Sequence, residues 1–171
     1  LGRLSVAIKA DADQQSLQIH IGKGQDVGAA PGEENGKGLH VQCRVHIHPH
    51  KDDLYVVEKL IAKPQKNGRF MRKTSQHFAT SNPLFNEDFL FVLSKIWSSL
   101  DEHRLYIALV TKEKVCSDGT GFLGCMSWSM KELFGKRGPW PEWWWMLPQS
   151  SGFLSHQFVD KAATEGPGGA I

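Results

Sequence analysis

Asn82-Pro83-Leu84-Phe85-Asn86-Glu87-Asp88-Phe89-Leu90-Phe91 is the stretch on which the reading of this chain turns. Asn-Pro is a turn-forming pair, because the proline fixes its own backbone and the asparagine side chain bonds to the chain nearby. Beyond the turn, Phe85, Phe89 and Phe91 share one parity, and successive side chains of a strand point to opposite faces. Three aromatic rings on one face need an apolar layer to pack against. The stretch therefore predicts a half-buried strand that feeds a core between two packed sheets.

Working outward, the same period of two recurs. Leu4, Val6 and Ile8 alternate with Ser5, Ala7 and Lys9, and Leu17, Ile19 and Ile21 alternate with Gln18 and His20. A polar turn, Asp11 to Gln15, joins them, so an early hairpin is expected. Val41, Cys43, Val45 and Ile47 form the apolar face of a third strand that Pro49 stops. Its other face, His40, Gln42, Arg44, His46 and His48, reads as solvated. Residues 22–39, rich in glycine and carrying Pro31, Glu33 and Glu34, read as a long loop. Residues 50–68 are mixed, with Leu54 to Val57 as an extra strand or part of a crossing loop. Phe70 to Gln76 is a basic strand candidate. Leu105, Ile107 and Leu109 mark another strand, Phe122 to Trp128 the next, and His156 to Asp160 a last short one. Ser129 and Glu132 fit a capping box that opens a short helix, which Gly135 and Pro139 end. About eight short strands separated by turns give an all-β sandwich or barrel, and the absence of alternating long helices argues against a doubly wound fold.

The chain has 171 residues and a formal charge of +2. That length suits one domain, and that charge is far from a nucleic-acid-binding composition. No apolar run reaches the roughly 20 residues that span a bilayer. Cys43, Cys116 and Cys125 make neither a disulfide framework nor a zinc pattern, which points to a reducing, cytoplasmic setting. The opening Leu1-Gly2-Arg3-Leu4 has neither an initiator Met nor a signal pattern and reads as the start of an excised piece. Residues 1–161 are expected to form the domain and 162–171 a flexible Gly-rich tail.

Lys73-Thr74 followed by Asn82 to Phe91 resembles the most recognisable segment of C2 domains. Other pieces fall in the family's order: Gly2 to Val6 resembles the opening strand, Leu123-Gly124 the pair after the third calcium loop, and the helix with its Trp-rich segment before Leu147 the C2 ending. The resemblance spans roughly residues 2–160. It implies an eight-stranded antiparallel C2 β-sandwich with one short helix near the C-terminus, and the early hairpin favours the synaptotagmin-like arrangement. Within the family, Gly124-Cys125-Met126-Ser127 followed by Lys131-Glu132-Leu133 is most similar to the C2 domain of regulator of G-protein signalling 3. C2 domains of PDZ-containing synaptic scaffolds and Rho-GTPase-activating proteins are also similar.

Calcium-binding members carry carboxylates on two loops at one tip, as a hard cation requires. Here those positions fall on Gly28 or Ala29, on His40-Val41, on Thr111 and Glu113, and near Gly121. Most ligands are lost, so calcium independence is expected, with Asp26, Glu33, Glu34, Glu113 and Asp118 as the remaining nearby acids. His46, His48 and His50 alternate as a metal surface would, but no Cys or carboxylate shares their parity with obvious ligand spacing, and no metal or cofactor is expected.

The resemblance points the docking role to the basic run Lys63, Lys66, Arg69, Arg72 and Lys73, joined at a loop tip by Lys112 and Lys114. Phospholipid or partner contact is expected at Lys66, Arg69, Arg72, Lys73, Lys112 and Lys114. Arg69 and Lys73 share a parity that Arg72 does not, so the run is not a one-face stripe; a solvated edge that blocks aggregation is the alternative. Trp140, Trp143, Trp144 and Trp145 suit an interface patch, although core packing of at least two is favoured. No nucleophile elbow, P-loop or dinucleotide turn is present, and the adjacent pairs Glu33-Glu34 and Asp52-Asp53 make no acid–base couple. The expected function is a non-enzymatic, monomeric C2 module that docks an intracellular signalling protein on anionic phospholipid headgroups, peripherally at the plasma membrane or synapse. The alternative is a purely protein-binding module that uses the Trp-rich segment or residues 50–68.

Overall fold

Alternation of apolar and polar residues folds this chain into two facing antiparallel sheets. The structure is a computed structural model and describes residues 2–27, 40–49, 70–75, 78–80, 82–111, 122–135 and 143–145. Its elements are β1 (Arg3–Asp11), β2 (Ser16–Gln25), β3 (His40–Pro49), β4 (Met71–Lys73), β5 (Phe78–Ala79) and β6 (Leu84–Val92). A 3-10 segment η1 (Ser94–Glu102), β7 (His103–Thr111), β8 (Phe122–Ser129), helix α1 (Met130–Gly135) and β9 (Trp143–Trp145) follow. The first sheet has the order β6-β2-β1-β9, and the second β4-β3-β7-β8, with β5 also on β3. The expected hairpin is present, with Ile8 opposite Ile19 and Lys9 opposite Gln18.

β4 and β5 are two pieces of one edge strand. Both run antiparallel to β3, with Lys73 opposite Arg44 and Phe78 opposite Val41. With them counted together, eight strands and one short helix among the described residues make the expected sandwich. Thr74 replaces regular pairing at the break. Its N–H donates to the Cys43 carbonyl at 2.9 Å, its hydroxyl accepts from the Cys43 N–H at 3.1 Å, and its carbonyl accepts from Gln42 Nε2 at 2.8 Å.

Phe85, Phe89 and Phe91 all face the core, as their parity requires, beside Leu17, Ile19 and Ile21. Val45, Ile47, Leu105, Ile107, Met126 and Trp128 meet them from the second sheet. α1 starts where its cap residue dictates: Ser129 Oγ accepts from the Glu132 N–H at 3.1 Å. It buries Leu133 and sets Phe134 edge-on to Trp97 of η1, ring centroids 5.2 Å apart. Among the described residues, no helix is long and apolar enough to cross a membrane.

Three features depart from the sequence reading. First, β2 continues to Gln25, so the long loop begins later than residue 22. Gly22 and Gly24 are strand residues that let neighbours approach. A Cβ on Gly22 would stand 2.8 Å from Ser5 Oγ, and one on Gly24 2.8 Å from Val27 Cγ2. Second, Asn86 sits at φ 51, where the pairing of β2 with β6 shifts register between Ile21 and Lys23. Asparagine tolerates that conformation, which accounts for its place directly after Phe85. Third, the polar face of β3 is not solvated: Gln42, Arg44 and His46 are buried. Leu54 to Val57, read as an extra strand or part of a crossing loop, the expected strand at His156 to Asp160 and the tail at 162–171 lie outside the described residues.

Phe91 is fully buried at the centre of the inter-sheet layer. Phe91→Ala should cost about 3–5 kcal/mol, read as a lower urea midpoint at unchanged slope.

Candidate docking site

The basic run ends on β4, at the outer edge of the second sheet. In an antiparallel pair, residues directly opposite each other point to the same side. Arg72 lies opposite Val45, which faces the core, and Lys73 lies opposite Arg44, which faces outward. The structure thus sends the two cations to opposite faces, as their parity implies.

Arg72 bridges the open side of the sandwich. Its guanidinium carbon lies 5.0 Å from the Phe91 ring centroid. Nη2 donates to the Leu90 carbonyl at 3.3 Å and Nη1 to the Met71 carbonyl at 3.2 Å. Burial lowers its pKa from the ordinary arginine value. A second contact ties the same two edges together. The Ser75 N–H donates to both Glu87 carboxylate oxygens, at 3.1 and 3.0 Å. One of the six candidates therefore also holds the two sheets together, which a parity argument along a single strand does not reveal.

Lys73 stands half-buried on the outward face beside Arg44. Arg44 is buried, its Nε donating to Gln42 Oε1 at 3.2 Å, and desolvation pulls its pKa down. Lys66, Arg69, Lys112 and Lys114 lie outside the described residues, as do Lys63, Cys116, Trp140, Glu33, Glu34, Glu113 and Asp118. Trp143 to Trp145 form β9, which pairs with β1, Arg3 opposite Trp145.

The tip that carries calcium ligands in calcium-binding members is only partly described. Val41 pairs with Thr111 there, and His40 opens β3, so none of these three positions brings a carboxylate. Asp26 is exposed at φ 57, its N–H donating to Asn82 Oδ1 at 3.2 Å. His46 and His48 lie together, ring centroids 5.8 Å apart. Among the described residues, no three His, Cys, Asp or Glu side chains come together as a metal site. Burial pushes the thiols of Cys43 and Cys125 well above the usual cysteine range.

The family model described as "C2 domain" matches residues 15–143. Among solved structures, the A-type C2 domain of RIM2 is 18% identical and superposes with a TM-score of 0.56, over 85% of this chain and 97% of that one. The corresponding A-type C2 domain of RIM from Drosophila is 15% identical, with a TM-score of 0.55 over 86% and 98%. The third C2 domain of the KIAA1228 protein is 18% identical, with a TM-score of 0.57 over 87% and 89%. At such identities the likeness establishes the fold. No curated protein sequence matches the chain.

Arg72→Ala should remove the ring contact and the carbonyl bond to the facing sheet. The expected cost is about 1–2 kcal/mol in urea unfolding, and Arg72→Lys should recover only part of it, because an ammonium lacks the planar fork.

Proposed function

The chain belongs to the C2 family, and from that premise we propose that it is a calcium-independent module that docks a larger intracellular signalling protein on anionic membrane. C2 domains are membrane- or protein-interaction modules and are generally non-enzymatic. The observation that carries the reading is the position of Lys73, on the outward face of an edge strand and beside the break in its ladder at Thr74. Lys66 and Arg69 precede it in the chain, Arg72 adjoins it, and Lys112 and Lys114 follow Thr111 in the chain. These six residues are the proposed contacts with phospholipid headgroups. The domain is residues 1–161, with 162–171 as a flexible tail. It works as a monomer, in the cytoplasm and peripherally at the plasma membrane or synapse, in a protein akin to regulator of G-protein signalling 3 or to PDZ- and RhoGAP-type synaptic scaffolds. No metal or cofactor enters the proposal.

One observation favours a protein partner as the second reading. Leu84, Leu90 and Val92 stand 60%, 56% and 56% exposed along the edge strand β6. Exposed apolar side chains grouped on one edge suit a protein surface better than a headgroup layer.

Co-sedimentation with anionic and neutral liposomes, at low and physiological salt and with calcium or chelator, decides between the readings. Binding is expected to anionic liposomes alone, to weaken with salt and to ignore chelator. Lys73→Ala should weaken it about fivefold, since each surface cation contributes about 1 kcal/mol. A calcium requirement would sink the calcium-independent reading, and no binding in any condition would transfer the role to a protein partner.

A further inference from the structure

The break between β4 and β5 holds two neighbouring hydroxyls in opposite surroundings. Thr74 is buried, and its N–H, hydroxyl and carbonyl are all engaged by β3. Ser75 is exposed and belongs to neither strand, and its hydroxyl has no hydrogen-bond partner among the described residues. Its N–H donates to both oxygens of the Glu87 carboxylate, at 3.1 and 3.0 Å. A small polar residue at such a break is ordinary, since many of them suit a turn. The charge in front of this one is not.

Arg72 precedes Ser75 by three residues and Lys73 by two. Three places after the other arginines stand Val6, Ile47, Arg72, Ile107 and Trp140, none of which carries a hydroxyl. Ser75 is thus the single serine or threonine of the sequence with an arginine at that distance before it. Protein kinases select substrates by charge pattern, and the arginine-directed Ser/Thr class reads an arginine in that place.

The fold sets a condition on this recognition. The Arg72 guanidinium donates to the Met71 and Leu90 carbonyls at 3.2 and 3.3 Å and lies over the Phe91 ring. A kinase reads the side chain once it leaves those contacts. β4 has three residues and stands at the outer edge of its sheet, so it opens locally at little cost. A phosphoester on Ser75 then favours the open form. It brings a charge of about −1.5 to −2 and three strong acceptor oxygens. Charge-assisted bonds to phosphate are stronger than a bond to a carbonyl, so they draw Arg72 away from Leu90. The same charge repels the Glu87 carboxylate that receives the Ser75 N–H. Both links between the β4 and β6 edges are lost together.

We propose that Ser75 is a phosphorylation site for an arginine-directed Ser/Thr kinase, and that its phosphoester unfastens β4 from β6 and cancels the positive charge of Arg72 and Lys73. In the transfer, Ser75 Oγ bonds to the γ-phosphorus of ATP and the bond from that phosphorus to the β–γ bridging oxygen breaks. ADP leaves, and the hydroxyl proton passes to the catalytic aspartate of the kinase. The consequence for docking rests on the membrane reading: the modification is the signal that releases the domain from anionic lipid.

The intact chain is incubated with magnesium, ATP and the cyclic-AMP-dependent protein kinase, and the site is located by peptide mass. Close to one phosphate per chain is expected, at Ser75. The Ser75→Ala chain, which keeps the N–H that bonds Glu87, should take up about a tenth or less. Absence of phosphate from Ser75, or equal uptake by the two chains, would overturn the site. The phosphorylated chain should unfold at a lower urea midpoint than the unmodified one, and an unchanged midpoint overturns the unfastening. Its affinity for anionic liposomes should fall about twentyfold, because the phosphate cancels about two cations worth about fivefold each. Equal binding of both forms overturns the release. A chain that binds no liposomes before phosphorylation refutes the membrane reading, and the phosphate position and the urea shift then decide the site by themselves.

Discussion

Burial of β7 on both sides is the constraint that the rest of the structure answers. All nine residues from His103 to Thr111 are buried. A strand in that position must satisfy two different surroundings at once, because its alternate side chains face two layers. Leu105, Ile107 and Leu109 meet the aromatic layer that Phe85, Phe89 and Phe91 bring from the opposite sheet. Arg104, Tyr106 and Ala108 face the other way, where Arg104 Nε donates to Ser127 Oγ of the neighbouring strand. The outer face of the sandwich is accordingly exposed at β6 and buried at β7, and its charged groups must be placed with that asymmetry in view.

The fold was legible because its signals are local and agree with one another. The three same-parity phenylalanines and the Ser129 helix cap each depend on residues within one element, and each appears in its expected place. What escaped the sequence depends on contacts across elements. Gly22 and Gly24 read as loop residues, yet they are strand positions whose missing side chains make room for Ser5 and Val27. The polar face of β3 reads as solvated because polarity along one strand does not report what lies above it. Thr74 reads in the sequence as half of the Lys73-Thr74 pair and no more, although three of its atoms hold the edge strand where regular pairing fails.

The same distinction governs the basic run. Counted along the chain, Arg72 and Lys73 are one patch. In three dimensions the first spans the gap between two sheets and the second points outward. Charge on a β-edge is therefore not a single quantity, since neighbouring cations meet different dielectric surroundings. Desolvation lowers the pKa of both Arg44 and Arg72, and Arg72 offsets that cost by its contacts with the Phe91 ring and the Leu90 carbonyl of the facing sheet.

The pairing of β9 with the first three residues of β1 has a consequence for how the chain acquires its structure. Arg3, Leu4 and Ser5 lie opposite Trp145, Trp144 and Trp143, so nearly the whole length of the domain separates the two partners. Contacts of such long sequence separation form late and slow folding, because a large loop must close before they stabilise anything. During synthesis, β1 emerges first and waits for its outer neighbour until the tryptophan run has left the ribosome. Over that interval the first sheet has an unpaired inner strand at its margin, and cooperativity is reached only when the two ends of the domain meet.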